Sequence, residues 1–104
     1  LEKSAQKKVA DMLANSYFTH QDANQNESWY LFQASGYHYK SAGENLSFGY
    51  DTPWKTFTAW QESPTHDEQL LKSEYQDMGL AADCSHYKTP NQPFCVVVLH
   101  LGVE

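Results

Sequence analysis

FCVVVLHL, residues 94–101, is the most apolar run of the chain and the one that decides its fold. Three consecutive valines are β-branched, the run is eight residues long, and Pro93 and Asn91 punctuate its start, so it reads as a strand rather than a helix. Because polar residues hardly interrupt it, both of its faces must be covered, which predicts a central strand. Upstream, Tyr75–Cys84 carries Met78, Leu80 and Ala82 in alternation and predicts a second strand. The Pro-, Asn- and Thr-containing segment between the two reads as the loop of a hairpin.

Cys84 and Cys95, the only two cysteines, flank that loop. The placement predicts one disulfide, and closing a loop of about a dozen residues contributes roughly 3 kcal/mol. Two unrelated buried thiols are the alternative; a metal role is disfavoured because there is no CxxC pair. A structural disulfide implies an oxidising compartment and hence a secreted, extracytoplasmic setting.

Toward the N-terminus the period changes from two to 3.6. Leu1, Ala5, Val9, Met12, Leu13 and Tyr17 form one stripe, opposite Lys3, Lys7, Lys8 and Asp11, and predict a helix over residues 1–18. Residues 21–28 are polar loop. Asn26 or Ser28 opens a short helix to about Ser35, with Trp29, Tyr30 and Phe32 on its apolar side and Gly36 as its stop. Tyr37–Tyr50 reads as an extended segment with a loop around Gly43-Glu44-Asn45. Thr52-Pro53 and Ser63-Pro64 each place a cap residue before a first-turn proline. They predict helices to about Gln61, with Trp54, Phe57 and Trp60 inward, and to about Leu71.

At 104 residues the chain is sized for a single domain, 1–104. Thirteen acidic residues face seven lysines and no arginine, a net charge of −6. Such a surface lacks the basic patch and the guanidinium forks that nucleic acid requires, and it argues against anionic lipid. No apolar run approaches the ~20 residues of a membrane-spanning helix, so no transmembrane segment is expected. The chain begins at Leu1 rather than Met and reads as a mature or trimmed form, expected to be a monomer.

Three motifs bear on chemistry: Tyr17-Phe18-Thr19-His20, Gly43-Glu44-Asn45-Leu46 and Ser63-Pro64-Thr65-His66. Singly, each reads as surface or as a helix start. In order, and with Gly36-Tyr37, Ala59-Trp60, Leu70-Leu71 and Met78–Ala82 between and after them, they resemble a bacterial-type CAP (SCP-like) domain over nearly the whole chain. That resemblance implies an α+β fold, a three-layer α-β-α sandwich. It also implies that His20, Glu44 and His66 meet in one cleft able to hold a divalent metal. Glu62 is the candidate second acid, one position off the eukaryotic pattern. The usual first helix is missing, giving a minimal version, and Asp67 replaces the Arg that commonly follows the last histidine.

Imidazoles with one or two carboxylates suit Zn²⁺ above other ions. Glu44 can instead orient a histidine ring by hydrogen bond. No GxSxG, HExxH or P-loop is present, which argues against an enzyme. Three functional readings follow. The first is a secreted, non-catalytic module binding a small ligand, lipid or glycan in the His/Glu cleft, with or without a divalent cation. The second is a metal-dependent hydrolase of peptide or cell-wall substrates. The third is a structural or adhesive domain whose His/Glu cluster is a packing network. His38, His86 and His100 read as surface or sheet-packing residues, and Asn45 as an inward residue holding the Glu44 segment. The aromatics Tyr37, Tyr39, Phe48, Tyr50 and Trp54 read as core and cleft wall or as a binding groove.

Overall fold

The computed structural model describes residues 1–22, 24–89 and 92–104, with the backbone alone for residues 53, 85–89 and 92–94. Its elements are helix α1 (Glu2–Asn15), helix α2 (Trp29–Ala34), strand β1 (Ser41–Tyr50), helices α3 (Pro53–Glu62) and α4 (Pro64–Leu71), and strands β2 (Asp77–Thr89) and β3 (Gln92–Val103). The strands form one antiparallel sheet in the order β1-β3-β2. The apolar run thus lies in the central strand, as its composition requires.

Alternation along β3 sorts the core into two layers. Val96 and Val98 pack against Ala5, Val9 and Met12 of α1, with Leu46 of β1 beside them. Cys95, Val97, Leu99 and Leu101 point the other way, onto Trp60 of α3, with Phe57 and Leu70 closing that side. Each such side chain, fully buried, contributes about 1.5–3 kcal/mol, so one eight-residue run holds helices to both faces. The result is the α-β-α sandwich. Cys84 and Cys95 are disulfide-bonded.

Local signals place most helix ends. The Thr52 hydroxyl accepts the Lys55 N–H at 3.2 Å, and Pro53 follows it in the first turn. Helix α1 stops three residues short of expectation because Ser16 turns left-handed (φ 56°) and Tyr17 N–H closes back on Met12 O. Trp54, expected inward, is 79% exposed in the first turn of α3.

The larger correction concerns Gly43-Glu44-Asn45, which is the interior of β1 and not a loop. Gly43 is there for closeness rather than for a turn. A Cβ on it would lie 2.4 Å from Gln69 Oε1 and 2.6 Å from the Tyr75 hydroxyl, which pack directly on the strand.

Candidate functional site

The site begins with the segment that carries His20. Lys8 of α1 is 1% exposed. Its stem runs along the helix flank, its ammonium sits 4.9 Å above the Tyr17 ring, and Nζ donates to His20 O at 2.7 Å. The Ser28 hydroxyl donates to the same carbonyl at 3.1 Å. Two donors, one from the middle of α1 and one from the start of α2, therefore fix the His20 backbone. Burial lowers the Lys8 pKa, and the negative charges of Glu44 and Asp11 oppose that shift.

Glu44 stands opposite His100 in the β1–β3 register, so both side chains emerge on the α1 face. The Glu44 side chain is 1% exposed and bridges two imidazoles. Oε1 accepts His20 Nδ1–H at 2.7 Å, and Oε2 accepts His100 Nε2–H at 2.7 Å. His100 is completely buried and lies 4.4 Å, ring centre to ring centre, from Phe32. Its Nδ1 is 2.7 Å from the Ser4 hydroxyl, which is also 2.8 Å from Leu1 O. Leu1 O, with two lone pairs, accepts both the Ser4 hydroxyl and the Ala5 N–H, so Ser4 ties the start of α1 to His100.

Ser4, His100 and Glu44 have the order of a hydroxyl–imidazole–carboxylate triad. Ser4 is 0% exposed, however, and its oxygen is enclosed by Leu1 O and His100. A nucleophile that no substrate reaches does no chemistry, so this array fixes the Glu44 carboxylate in place.

The electrostatics follow from this packing. Burial pushes the Glu44 carboxyl up, but the hydrogen bonds from His100 and His20 outweigh it and bring the pKa down to about 2. Burial lowers the His100 pKa, against the hydrogen bond and charge of Glu44, which raise it. The Glu44 hydrogen bond raises the His20 pKa, partly offset by burial. His20 therefore stabilises fully below the ordinary histidine pKa of about 6.5 and loses that contribution as pH rises through its raised value. His100 acts oppositely: the unfolded chain takes up its proton below about pH 6.5 and stability falls. The melting temperature is expected to peak near pH 6.5 and to decline toward pH 8. In His20→Asn the alkaline decline should flatten while the acid one persists. A wild-type melting temperature that keeps rising to pH 8 would contradict the assignment.

His20 and Glu44 line a cleft of about 620 Å³ that wraps the beginning of β1. Ala42–Glu44 form its floor, Gln21, Glu27 and Trp29 one wall, and Gln69, Lys72 and Tyr75 the other. His66 is not among its lining residues, which corrects the single-cleft expectation. Successive β1 side chains point to opposite sheet faces. Glu44 faces α1, whereas Asn45 faces α4 and donates to His66 O at 3.1 Å. His66 lines a neighbouring groove with Phe18, Phe48 and Trp60; its Nδ1 is 2.9 Å from the Ser63 hydroxyl, and its ring stacks on Trp60. Glu62 is exposed at the end of α3, outside the cleft.

A Zn²⁺ site at His20, Glu44 and His66 needs a free carboxylate oxygen with both imidazoles facing the ion. Both Glu44 oxygens instead accept imidazole N–H groups, and His66 is turned to Ser63. Among the described residues no group of three His, Cys, Asp or Glu is placed to hold a metal ion. As arranged, the donor set does not fit.

His100, read from the sequence as sheet packing, is instead the second partner of Glu44. Lys8, read as part of the polar helix face, is buried. His38 is exposed as expected, and the His86 side chain lies outside the described residues. Of the aromatics, Tyr37 is core, and Phe48 and Tyr50 are exposed along β1.

Comparison with known proteins agrees with this architecture. The model of the CAP family, the cysteine-rich secretory protein family, matches residues 1–100. The Bacillus subtilis protein YkwD is 34% identical over 80 residues, 77% of this chain and 31% of that protein. The Bacillus subtilis membrane protein YlbC is 27% identical over 77 residues, 74% of this chain and 22% of that protein. The chain thus spans less than a third of the curated relatives it matches. Among solved structures, an extracellular SCP-domain protein from Bacillus anthracis superposes with a TM-score of 0.81 at 18% identity, covering 99% of this chain and 31% of the other. An outer surface protein of Borrelia burgdorferi superposes with a TM-score of 0.79 at 22% identity, covering 100% of this chain and 74% of the other.

Proposed function

Because the chain belongs to the CAP family, we propose that it is a non-catalytic ligand-binding module of an extracytoplasmic bacterial protein, with the cleft beside His20 and Glu44 as its binding site. The observation that carries this reading is Glu44 itself. A carboxylate 1% exposed is held from behind by His100, and it presents one imidazole, His20, to a cleft of ligand-binding size. With Nδ1 committed to Glu44, the His20 ring has Nε2 left for a ligand, a donor when protonated and an acceptor when not. The enclosed Ser4 speaks against hydrolysis through the triad-like array. The extracytoplasmic setting is supported by the Cys84–Cys95 disulfide and by the extracellular and outer-surface neighbours. Among the described residues no helix is long and apolar enough to cross a membrane.

The test is a nuclear magnetic resonance titration of isotope-labelled protein with a library of small soluble fragments. Hits are expected to move the Gln21 and Glu44 amides and the Trp29 indole, with no turnover of the fragments. Hits confined to the apolar groove of Met12, Phe18 and Phe48 would refute the placement. Zn²⁺ and chelator are added to parallel thermal melts. A metal site on the native state must raise the melting temperature, whereas the ligand reading expects none of that shift. A hydrolase would in addition show turnover that the chelator abolishes.

A further inference from the structure

We propose that the cleft recognises an acetamido sugar, with the amide on the edge of β1 and a pyranose face on Trp29; this rests on the cleft being the binding site. Strand β1 is an edge strand. Two of its carbonyls are covered by side chains: Ala42 O accepts the Tyr75 hydroxyl at 3.0 Å, and Leu46 O accepts Trp60 Nε1–H at 3.0 Å. Both residues are even-numbered, so the even-numbered backbone groups of this stretch point away from β3. Glu44 lies midway between them, and its N–H and C=O therefore face outward at the cleft floor. A donor and an acceptor side by side on a strand edge are what a second amide pairs with. The covers on either side decide the size of that amide. An extended peptide needs several free positions in succession, whereas Tyr75 and Trp60 leave one.

The opposite wall supplies the apolar half. Trp29 is half-buried, and its ring is braced by Phe32 at 5.6 Å and Tyr39 at 6.3 Å. A rigid indole plate suits the C–H face of a pyranose. Around it stand groups matched to hydroxyls. Gln69 shares a hydrogen bond with Tyr75, Gln21 donates to Glu27 at 2.9 Å, and His20 offers Nε2. Glu27 opposes Lys72 and His20 in charge, so the lining selects neither a strong anion nor a strong cation. A lipid chain is better served by the separate groove of Met12, Leu13, Phe18 and Phe48.

The probes are N,N′-diacetylchitobiose, cellobiose and trialanine, titrated into the labelled protein. Diacetylchitobiose is expected to shift the Glu44 amide and the Trp29 indole together. Cellobiose, of the same ring size without the amide, should bind about tenfold more weakly, as expected for losing roughly 1.4 kcal/mol of hydrogen bonding. Trp29→Ala should weaken diacetylchitobiose by about tenfold or more. If that variant fails to fold, Gln69→Ala, on the opposite wall, serves as the second one. Equal affinity for cellobiose, or trialanine moving Glu44 but not Trp29, overturns the proposal. So does diacetylchitobiose moving neither residue; library hits persisting in the cleft would then show that the sugar assignment alone has failed.

Discussion

Glu44→Ala is expected to destabilise the protein by about 3–5 kcal/mol, the range for leaving a buried charge uncompensated, here the Lys8 ammonium. The size follows from what is left behind. His100 loses the acceptor for Nε2–H in a position with no access to water. Lys8 loses the charge that opposes its desolvation. His20 loses its anchor, and with it one wall of the cleft. Glu44→Gln should cost less, about 1–2 kcal/mol, because an amide oxygen accepts one imidazole N–H while its NH₂ faces the other. Removing Glu44 and His100 together as Glu44→Leu/His100→Leu should cost less than the sum of the single changes, by roughly 1–3 kcal/mol of coupling. Urea denaturation at pH 7, followed by tryptophan fluorescence, measures all of these. A Glu44→Ala cost below about 1 kcal/mol would mean that the bridge is not formed.

This cluster also marks where the sequence is easy to read and where it is not. The central strand, the helix starts at Thr52-Pro53 and Ser63-Pro64, and the pairing of His20 with Glu44 were all legible, the last through the motif order. His100 reads as a surface or sheet-packing residue, although the signal of a buried partner is present. It shares parity with Val96 and Val98, on the apolar face of the most buried strand. A histidine there must find a buried partner, and Glu44 is its register neighbour. Lys8 had no such signal. Its long stem follows the flank of α1 before the ammonium turns in to His20 O, and nothing in residue type distinguishes that from a solvated lysine. Gly43 misled for a third reason. A glycine in a polar triplet suggests a turn, but this one makes room for Gln69 and Tyr75, a requirement set by residues about 30 positions away.

The second large effect concerns the seat of α1. Gly79 of β2 lies opposite His100 on β3 and faces the same side of the sheet. A Cβ at Gly79 would stand 2.2 Å from both Leu1 C and Glu2 N, and 2.5 Å from Leu1 O. These are backbone atoms at the start of a helix, so no rotamer change relieves the clash and the helix must lift off the sheet. Lifting it parts Ser4 from His100, now 2.7 Å apart. It also opens the contacts of Ala5, Val9 and Met12 with Val96 and Val98. Gly79→Ala is therefore expected to cost about 3 kcal/mol, the upper end for overpacking, and to bring the melting temperature down with it. The damage should be directional. The His100 ring resonances and the protection of the α1 amides from hydrogen exchange should change first, while Trp60 on the far layer keeps its Nε1–H bond to Leu46 O. If Gly79→Ala folds with wild-type stability and unaltered His100 resonances, α1 does not rest on that glycine, and the Ser4–His100–Glu44 array has lost the support from which His20 is presented to the cleft.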